Sequence, residues 1–223
     1  MVNRRIKGVI LGKGINDSGY RVTKYEDILD DKGNKVYYSC GKVTKKRLVW
    51  QCPYYRRWKN MLERCFCPKF RNRHPTYEYC GVHEDWLYFS KFKAWMEKQD
   101  WKGKVMDKDI LTTQNKTYSE DTCIFIDGRI NLFITERDSR RGVLPIGVVL
   151  CKHSKINPYR AVCNNPFTNK AEYLGFYNDP LEAHEQWRKF KIKCVHTMLS
   201  EGWIDNRIHE ALLNKYTFYK HLV

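Results

Sequence analysis

The chain has 223 residues, of which 42% are hydrophobic and 14% aromatic, enough for one large domain or two small ones with real cores. A formal net charge of +16 indicates a polyanionic partner, most often nucleic acid, although solvated surface lysines are the plainer alternative. The sequence shows no secretory signal and no membrane-spanning apolar run, and its nine cysteines are irregularly spaced. We therefore expect neither a membrane protein nor a secreted disulfide scaffold, but a cytoplasmic protein with free thiols.

The charge is distributed unevenly along the chain. Residues 1–60 hold 15 Lys and Arg against 5 Asp and Glu, residues 61–141 hold 15 against 13, and residues 142–223 hold 11 against 7. The middle segment therefore keeps most of the acids. This distribution favours a central site that uses carboxylates, flanked by basic regions that hold a polyanion.

Residues 1–52 form a basic N-terminal segment in which we expect short strands. The run Asp31-Lys32-Gly33-Asn34 is typical of a turn, and Val36–Cys40 has the composition of a strand. Two interpretations of this segment stay open, namely an arm that binds phosphates and a solvated cap.

Two amphipathic helices are predicted next. Pro53 begins the first helix and Pro68 follows its end, while the second begins near Asp85, which is a suitable N-cap. The apolar side chains at helical spacing are Trp58, Met61, Leu62 and Cys65 in the first helix, and Trp86, Phe89, Phe92 and Trp95 or Met96 in the second. Aromatic side chains can stack on bases, but this spacing favours core packing.

Two short fragments, Cys65-Phe66-Cys67 and Cys80-Gly81-Val82-His83, have the composition of two halves of a zinc site. Structural zinc prefers cysteine pairs with a longer spacer than the single residue between Cys65 and Cys67. That pair also lies at the end of a predicted helix. We therefore favour buried thiols and do not expect structural Zn²⁺.

A polar stretch in the middle of the chain is the candidate site. A short strand carries Asp107, Lys108 and Asp109, a polar loop follows, a second strand covers Thr122–Ile126, and Asn131 lies in a short helix after it. This order brings acids and an amide together from distant positions in the sequence. Carboxylate and amide oxygens are ligands for a hard cation such as Mg²⁺, which can stabilise a leaving oxygen on phosphorus. A β-hairpin with polar residues is the alternative.

A charged segment poor in apolar residues, 136–142, marks a predicted domain boundary. Three strands are predicted after it, at Gly147–Cys151, Tyr159–Cys163 and Ala171–Phe176. The run Asp179-Pro180-Leu181-Glu182 then predicts the start of a helix, with an N-cap, a proline at the first helical position and a glutamate that closes a capping box.

The predicted C-terminal helix has one buried stripe and a basic remainder. The stripe consists of Ala183, Trp187, Phe190 and Cys194, and the basic residues outside it are Arg188, Lys189, Lys191 and Lys193. Residues 196–223 continue as a helical tail that we expect to pack on the domain. Nothing in this tail indicates chemistry.

Residues 142–195 resemble the ethylene-response-factor (APETALA-type) DNA-binding domain. The matching runs are Pro145-Ile146-Gly147-Val148, Tyr159-Arg160-Ala161-Val162, Leu174-Gly175-Phe176 and Asp179–Ala183. The resemblance implies a three-stranded sheet that enters the DNA major groove and is backed by a helix. It also implies a set of DNA-binding residues: Lys152, Lys155, Tyr159 and Arg160 on the recognition face, with Arg140 and Arg141 along the DNA backbone. The tryptophans that the family carries in its strands are absent here.

The middle of the chain resembles a phage family of HNH-type homing endonucleases. The matching runs are Trp58–Cys65, Trp86 with Phe89, Phe92 and Trp95, Asp107–Ile110, Tyr118-Ser119, Thr122-Cys123 and Asn131. The resemblance implies that Asp107 and Asn131 bind the metal and that a histidine after the aspartate acts as general base. Lys108 occupies that histidine position.

The identity of the general base therefore stays open. Asp109 is one candidate, Lys108 could instead stabilise charge on the phosphate, and an inactive site is the third interpretation. His74 and His83 are further candidates from the preceding segment. A lysine is normally protonated at neutral pH and is then a poor base.

Together these features predict an α+β fold: a central ββα-metal (HNH-like) nuclease domain with flanking helices, and a C-terminal three-stranded sheet backed by a helix. The expected divisions are a basic segment at 1–52, the nuclease domain at 53–138, the DNA-binding domain at 139–195 and a helical tail at 196–223.

The expected function is that of a phage-encoded homing-type endonuclease that cleaves double-stranded DNA with Mg²⁺ or another divalent cation. We expect it in the cytoplasm of an infected bacterial cell, without an obligatory protein partner. The candidate catalytic residues are Asp107, Lys108, Asp109 and Asn131, of which Asp107 and Asn131 are the expected metal ligands. The alternative is an inactive DNA-binding or regulatory protein that keeps the nuclease fold as a scaffold.

Overall fold

The computed structural model describes residues 8–39, 41–112, 115–135 and 143–217. The fold is α+β, with short strands in several small sheets. In chain order the strands are β1 Gly8–Ile10, β2 Gly14–Asn16, β3 Thr23–Asp27, β4 Lys46–Gln51, β5 Gly81–Val82, β6 Val105–Asp107, β7 Thr117–Tyr118, β8 Ile124–Ile126, β9 Val148–Leu150, β10 Tyr159–Asn165 and β11 Lys170–Tyr177.

Helices occur in both halves of the chain, and among the described residues none is long and apolar enough to cross a membrane. The α-helices are α1 Pro53–Phe66, α2 Pro68–Arg73, α3 Phe89–Glu97, α4 Gly128–Ile134, α5 Pro180–Ser200 and α6 Asn206–Thr217. Two turns of 3-10 helix lie at Pro75–Tyr77 and Glu84–Leu87.

The contacts divide the chain into two compact units. The first comprises Met1–Gln99 with Lys116–Asp121, and the second comprises Asp100–Asn115 with Thr122–Val223. This division runs differently from the predicted domains, because β6, β8 and α4 fall in the same unit as the C-terminal sheet.

The core of the first unit is built on α1 and α3, which pack together. The predicted stripe of α1 is confirmed, since Trp58, Met61, Leu62 and Cys65 are all buried, and Pro53 occupies the first turn. The second predicted helix is interrupted: a 3-10 turn covers Glu84–Leu87, and α3 begins only at Phe89. The predicted apolar side chains of this region are nevertheless buried, and the carbonyl of Trp86 accepts a hydrogen bond from Trp58 Nε1 at 2.7 Å.

The three-stranded C-terminal sheet is antiparallel in the order β11-β10-β9, and α5 packs on one of its faces. Helix α5 begins with the predicted N-cap and proline, because Asp179 Oδ1 accepts a hydrogen bond from the amide of Leu181 at 3.2 Å and Pro180 opens the first turn. It ends before Gly202, whose φ of +71° suits a glycine, and α6 follows.

One buried stripe was predicted incompletely. The sequence predicts Lys191 on the basic outer face of α5, but its side chain is buried, and the predicted core residue Phe190 is only half-buried. The α5 helix contacts both the sheet and α6, so more of its circumference is covered than a single stripe allows.

A single hydrophobic cluster joins the β6–β8 region to the C-terminal elements. Its buried members come from the segments after β6 and before β9, from the strands β8 and β10, and from α4, α5, α6 and the connection between the last two helices. They are Ile110, Ile124, Ile126, Ile130, Phe133, Ile134, Ile146, Cys163, Trp187, Cys194, Val195, Met198, Ile204, Ile208, Leu212 and Tyr216. The short helix α4 and the long helix α5 therefore share one core.

Candidate functional site

The strand β6 pairs antiparallel with β8, with Asp107 opposite Ile124, and α4 begins two residues after β8 ends. Strand β8 is buried along its whole length, which anchors this hairpin in the core. Helix α4 packs against β6. The order strand, strand, helix therefore brings the element that ends at Asp107 next to the element that carries Asn131.

Asp107 ends β6 in a tight polar turn. Its Oδ1 accepts hydrogen bonds from the amides of Asp109 at 2.8 Å and Ile110 at 3.0 Å, an arrangement that aspartate commonly forms with the residues after it. Burial raises the pKa of the Asp107 carboxyl above its ordinary value, and the two amide hydrogen bonds offset part of that rise. Within the described parts of the chain, Oδ2 makes no hydrogen bond. One carboxylate oxygen is thus fixed by the backbone, while the other is not engaged by any described residue.

Lys108 is buried beside this turn, with 5% of its surface exposed. Its ammonium donates a short hydrogen bond to Asp109 Oδ1 and a longer one, at 3.4 Å, to the carbonyl of Asn115. The Asp109 side chain itself is 65% exposed. An ammonium that donates to a carboxylate and a carbonyl has no lone pair with which to accept a proton. In this arrangement Lys108 is a fixed positive charge next to Asp107.

Asn131 lies in α4, and its backbone amide donates to the carbonyl of the N-cap residue Asp127 at 3.1 Å. Asp127 Oδ1 accepts from the amide of Arg129 at 2.7 Å, so Asp127 caps the N-terminus of α4. The Asn131 side chain is half-buried, and among the described residues its amide group has no hydrogen bond. A half-buried amide oxygen of this kind suits a hard cation.

The DNA-binding candidates lie at one end of the C-terminal sheet. Lys152 and Lys155 are exposed in the turn between β9 and β10, and Tyr159 and Arg160 open β10. Arg160 alternates with Ala161, which is fully buried under α5, so the Arg160 side chain lies on the opposite, outer face. Arg140 and Arg141 lie outside the described residues.

Two aromatic side chains on this outer face are not among the residues that the sequence predicts. Tyr173 is 67% exposed and its ring lies 5.0 Å from the guanidinium of Arg160, while Phe176 is 50% exposed and pairs directly with Arg160 across the sheet. A bulge in β11 next to Gly175, at φ +121°, shifts the strand's alternation between these residues. The sequence signal for these residues is a pair of aromatics in the strand that follows the strand of Arg160. Because the bulge changes the alternation of β11, simple alternation does not place Tyr173 and Phe176 on the same face.

The cysteine fragments do not form a ligand cluster. Cys65 Sγ donates to the carbonyl of Gly81 at 3.5 Å, Cys80 Sγ donates to the carbonyl of Thr76 at 4.0 Å, and His83 Nδ1 accepts from the amide of Asp85 at 3.3 Å. Across the described ranges, no three His, Cys, Asp or Glu side chains come together in a way that could hold a metal ion. The Asp107 and Asn131 pair, with one carboxylate and one amide, is a different kind of candidate.

Comparison with known proteins yields no matching family model, no matching curated protein and no matching solved structure. The site must therefore be judged on its own geometry and charge.

Proposed function

We propose that the protein is a divalent-metal-dependent DNA endonuclease of the HNH type. The observation that carries the proposal is the β6–β8–α4 arrangement, in which a strand that ends at Asp107 packs against the helix that carries Asn131. The net charge of +16 supports a polyanionic substrate. The exposed basic and aromatic face of the C-terminal sheet supports duplex DNA as that substrate.

Asp107 and Asn131 would hold the cation through Asp107 Oδ2 and the Asn131 amide oxygen. When bound, Mg²⁺ would supply stabilisation of the leaving oxygen of the phosphodiester. The donor set fits a hard cation, since both donors are oxygens and the Asp107 carboxylate is already oriented by two backbone amides. The raised pKa of Asp107 also fits, because a positive ion nearby favours the ionised carboxylate.

Lys108 and Asp109 would divide the remaining work at the scissile phosphate. The buried ammonium of Lys108 is a fixed positive charge that can stabilise the additional negative charge of the transition state. The exposed carboxylate of Asp109 is the candidate that can accept the proton of the attacking water. These roles leave Lys108 protonated throughout.

The second candidate function is DNA binding without cleavage. The pairing of Lys108 with Asp109 favours it, because the ion pair occupies the group that would otherwise serve as base. In that case the β6–β8–α4 region is a scaffold, and the outer face of the C-terminal sheet carries the activity.

Incubation of supercoiled plasmid with the protein separates the two candidates. With Mg²⁺ we expect nicking that EDTA abolishes and that Asp107→Asn lowers at least about 10-fold, the smallest usual effect of disturbing a metal's surroundings. The matched control is Asp100→Asn, an exposed aspartate of the same unit whose side chain is 80% exposed. Plasmid binding without nicking by the wild type in Mg²⁺, Mn²⁺ and Ca²⁺ would establish the second candidate instead.

A further inference from the structure

The C-terminal end of α4 is closed by two lysines from other helices. Lys191 of α5 donates a short hydrogen bond to the carbonyl of Phe133, and Lys215 of α6 donates to the carbonyl of Ile134 at 3.3 Å. The last carbonyls of a helix have no partner within the helix, and a positive charge there is favourable. The helix that carries Asn131 is therefore held by α5 and α6.

Lys191 makes this contact from a buried position, with 6% of its surface exposed. Its ammonium lies 3.6 Å from the centre of the Phe133 ring, 5.3 Å from that of Trp187 and 5.4 Å from that of Tyr216. A buried ammonium is costly unless it is hydrogen-bonded, and aromatic faces stabilise it further. If α4 moved away from α5, the Lys191 charge would lose its carbonyl acceptor and one of its rings.

The first turn of α4 is held as well. The guanidinium of Arg129 lies 4.1 Å from the centre of the Trp203 ring, in the connection between α5 and α6. That ring in turn lies 4.9 Å from the ring of Phe167, in the turn between β10 and β11. A continuous set of contacts therefore runs from the C-terminal sheet to the first turn of α4.

We propose that Lys191 and Trp203 are positioning residues that fix Asn131 relative to the DNA-binding sheet, so that cleavage falls at a constant offset from the bound sequence. This inference rests on the proposed nuclease function. The alternative is an arrangement of two domains that are joined only through segment 136–142. In that arrangement the length of the segment would determine the cleavage position. Here the offset is set by the contacts of α4 with α5, α6 and their connection.

The contacts can be tested without any cleavage activity. A protease site is inserted into segment 136–142 of the full-length protein, the chain is cut there, and the product is passed over a sizing column under native conditions. We expect residues 143–223 to elute together with the rest of the chain, although a denaturing gel shows two fragments. Separation of the fragments under native conditions would overturn the inference, whatever the protein does to DNA.

The offset is tested by mapping nicks on an end-labelled duplex that contains a bound sequence selected from random DNA. Insertion of about six Gly and Ser residues into segment 136–142 lengthens the connection by on the order of 10 Å. We expect the nick to stay at the same nucleotide. A nick that moves or spreads with the length of the insertion would contradict the inference.

Substitutions then test the two residues. Lys191→Met and Trp203→Ala should spread the nick over several neighbouring nucleotides while binding to the selected duplex stays within about 2-fold, a change of less than 0.5 kcal/mol. The matched control is Lys193→Met, which removes an exposed lysine of the same helix and should leave the nick in place. Unchanged nick positions in both variants would contradict the positioning role.

If no variant nicks DNA with any metal, the proposed function fails, and fragment association alone decides whether α4 is fixed to the C-terminal elements.

Discussion

Two regions of the molecule use similar apolar side chains in opposite ways. In the unit that contains α4, α5 and α6, one continuous cluster buries side chains from β8, β10 and all three helices. Among the described residues from 23 to 51 no side chain is buried, although Tyr25, Leu48 and Trp50 are all present there. The same residue types thus form a core in one region and a surface in the other.

The difference follows from how many layers each region assembles. Strands β3 and β4 form a two-stranded ribbon with one register shift, and most of their residues are exposed on both faces. An isolated two-stranded ribbon is marginally stable in water. The C-terminal sheet has a third strand and a long helix on one face, so alternate residues such as Ala161 and Cys163 become buried. The comparison indicates that the C-terminal unit is held by its core and that the ribbon gains little from burial.

A matched pair of tryptophans gives the largest expected effect. Trp187 is 3% exposed and Trp50 is 47% exposed. Trp187→Ala should lower the free energy of unfolding by about 3–5 kcal/mol, and Trp50→Ala by about 0.5 kcal/mol. Urea unfolding of both variants measures the difference. Equal losses would mean that the ribbon is buried in solution by a partner or a second copy.

Two glycines give the next largest effect. Gly147 has a φ of +79°, and a Cβ added there would lie 2.1 Å from Trp187 Cγ, so Gly147→Ala combines backbone strain with overpacking. We expect a loss of about 2–4 kcal/mol. Gly103 has a φ of +74° but open space around it, and Gly103→Ala should cost only about 1–2 kcal/mol. Thermal unfolding of the two variants isolates the packing contribution, and identical losses would show that the Gly147 site can relax.

Local signals predicted the elements of both regions better than they predicted the contacts between elements. The capping sequence at Asp179 and Pro180 and the stripe of α1 are patterns within one helix, and both are confirmed. The 3-10 turn at Glu84–Leu87 interrupts the second predicted helix before α3 begins at Phe89. The spacing of apolar residues does not predict so short an interruption. The sequence predicts Lys191 at the surface because lysine is rarely buried, and the exception is explained by its acceptor at Phe133 O together with the aromatic rings around its ammonium.

The candidate site divides in the same way. Asp107 and Asn131 could be proposed from residue types and spacing, but the burial of Lys108 and its pairing with Asp109 depend on how the following loop folds back. The shared core of α4 and α5 also escaped prediction, because the charged segment between them indicated a boundary. The packing of α4 on α5 depends on apolar residues on both sides of that segment. Patterns within a single helix do not predict which other helix it contacts.

A smaller effect on the free energy of unfolding is expected at Asp107, in the unit that contains α4, α5 and α6. Burial raises the pKa of Asp107, so the ionised carboxylate destabilises the fold at neutral pH. The protonated Asp107 carboxyl is the form that the fold favours. Its contribution to the free energy of unfolding is fully present below the unfolded pKa of about 4 and is lost as the pH rises through the higher pKa of the folded protein. Asp107→Asn keeps an acceptor for the two amides and removes the charge. We expect its urea midpoint to exceed that of the wild type at pH 7 and the difference to vanish near pH 3.

The expected outcome separates a functional residue from a structural one. If the ionised Asp107 carboxylate stabilised its turn, Asp107→Asn would instead have a urea midpoint below that of the wild type at pH 7. A higher midpoint together with lost nicking indicates that the charge is retained for a ligand. The raised pKa also predicts that activity falls as the pH drops through that raised value, because the protonated carboxyl is a poorer cation ligand.

The smallest effect concerns the ribbon region, where charge rather than burial is expected to matter. Lys42 is exposed and has no ion pair among the described residues, whereas Lys35 is held by Asp27 at 2.8 Å. If this region contacts DNA phosphates, Lys42→Gln should reduce the slope of log affinity against log salt by about 0.9. Lys35→Gln should reduce it less, because Asp27 already neutralises that charge.

Neither substitution should change the urea midpoint appreciably, since surface changes shift stability by about 0.5 kcal/mol or less. An unchanged slope in Lys42→Gln, measured by fluorescence anisotropy from about 50 to 200 mM salt, would assign the ribbon to the solvated-cap interpretation and leave phosphate binding to the C-terminal sheet.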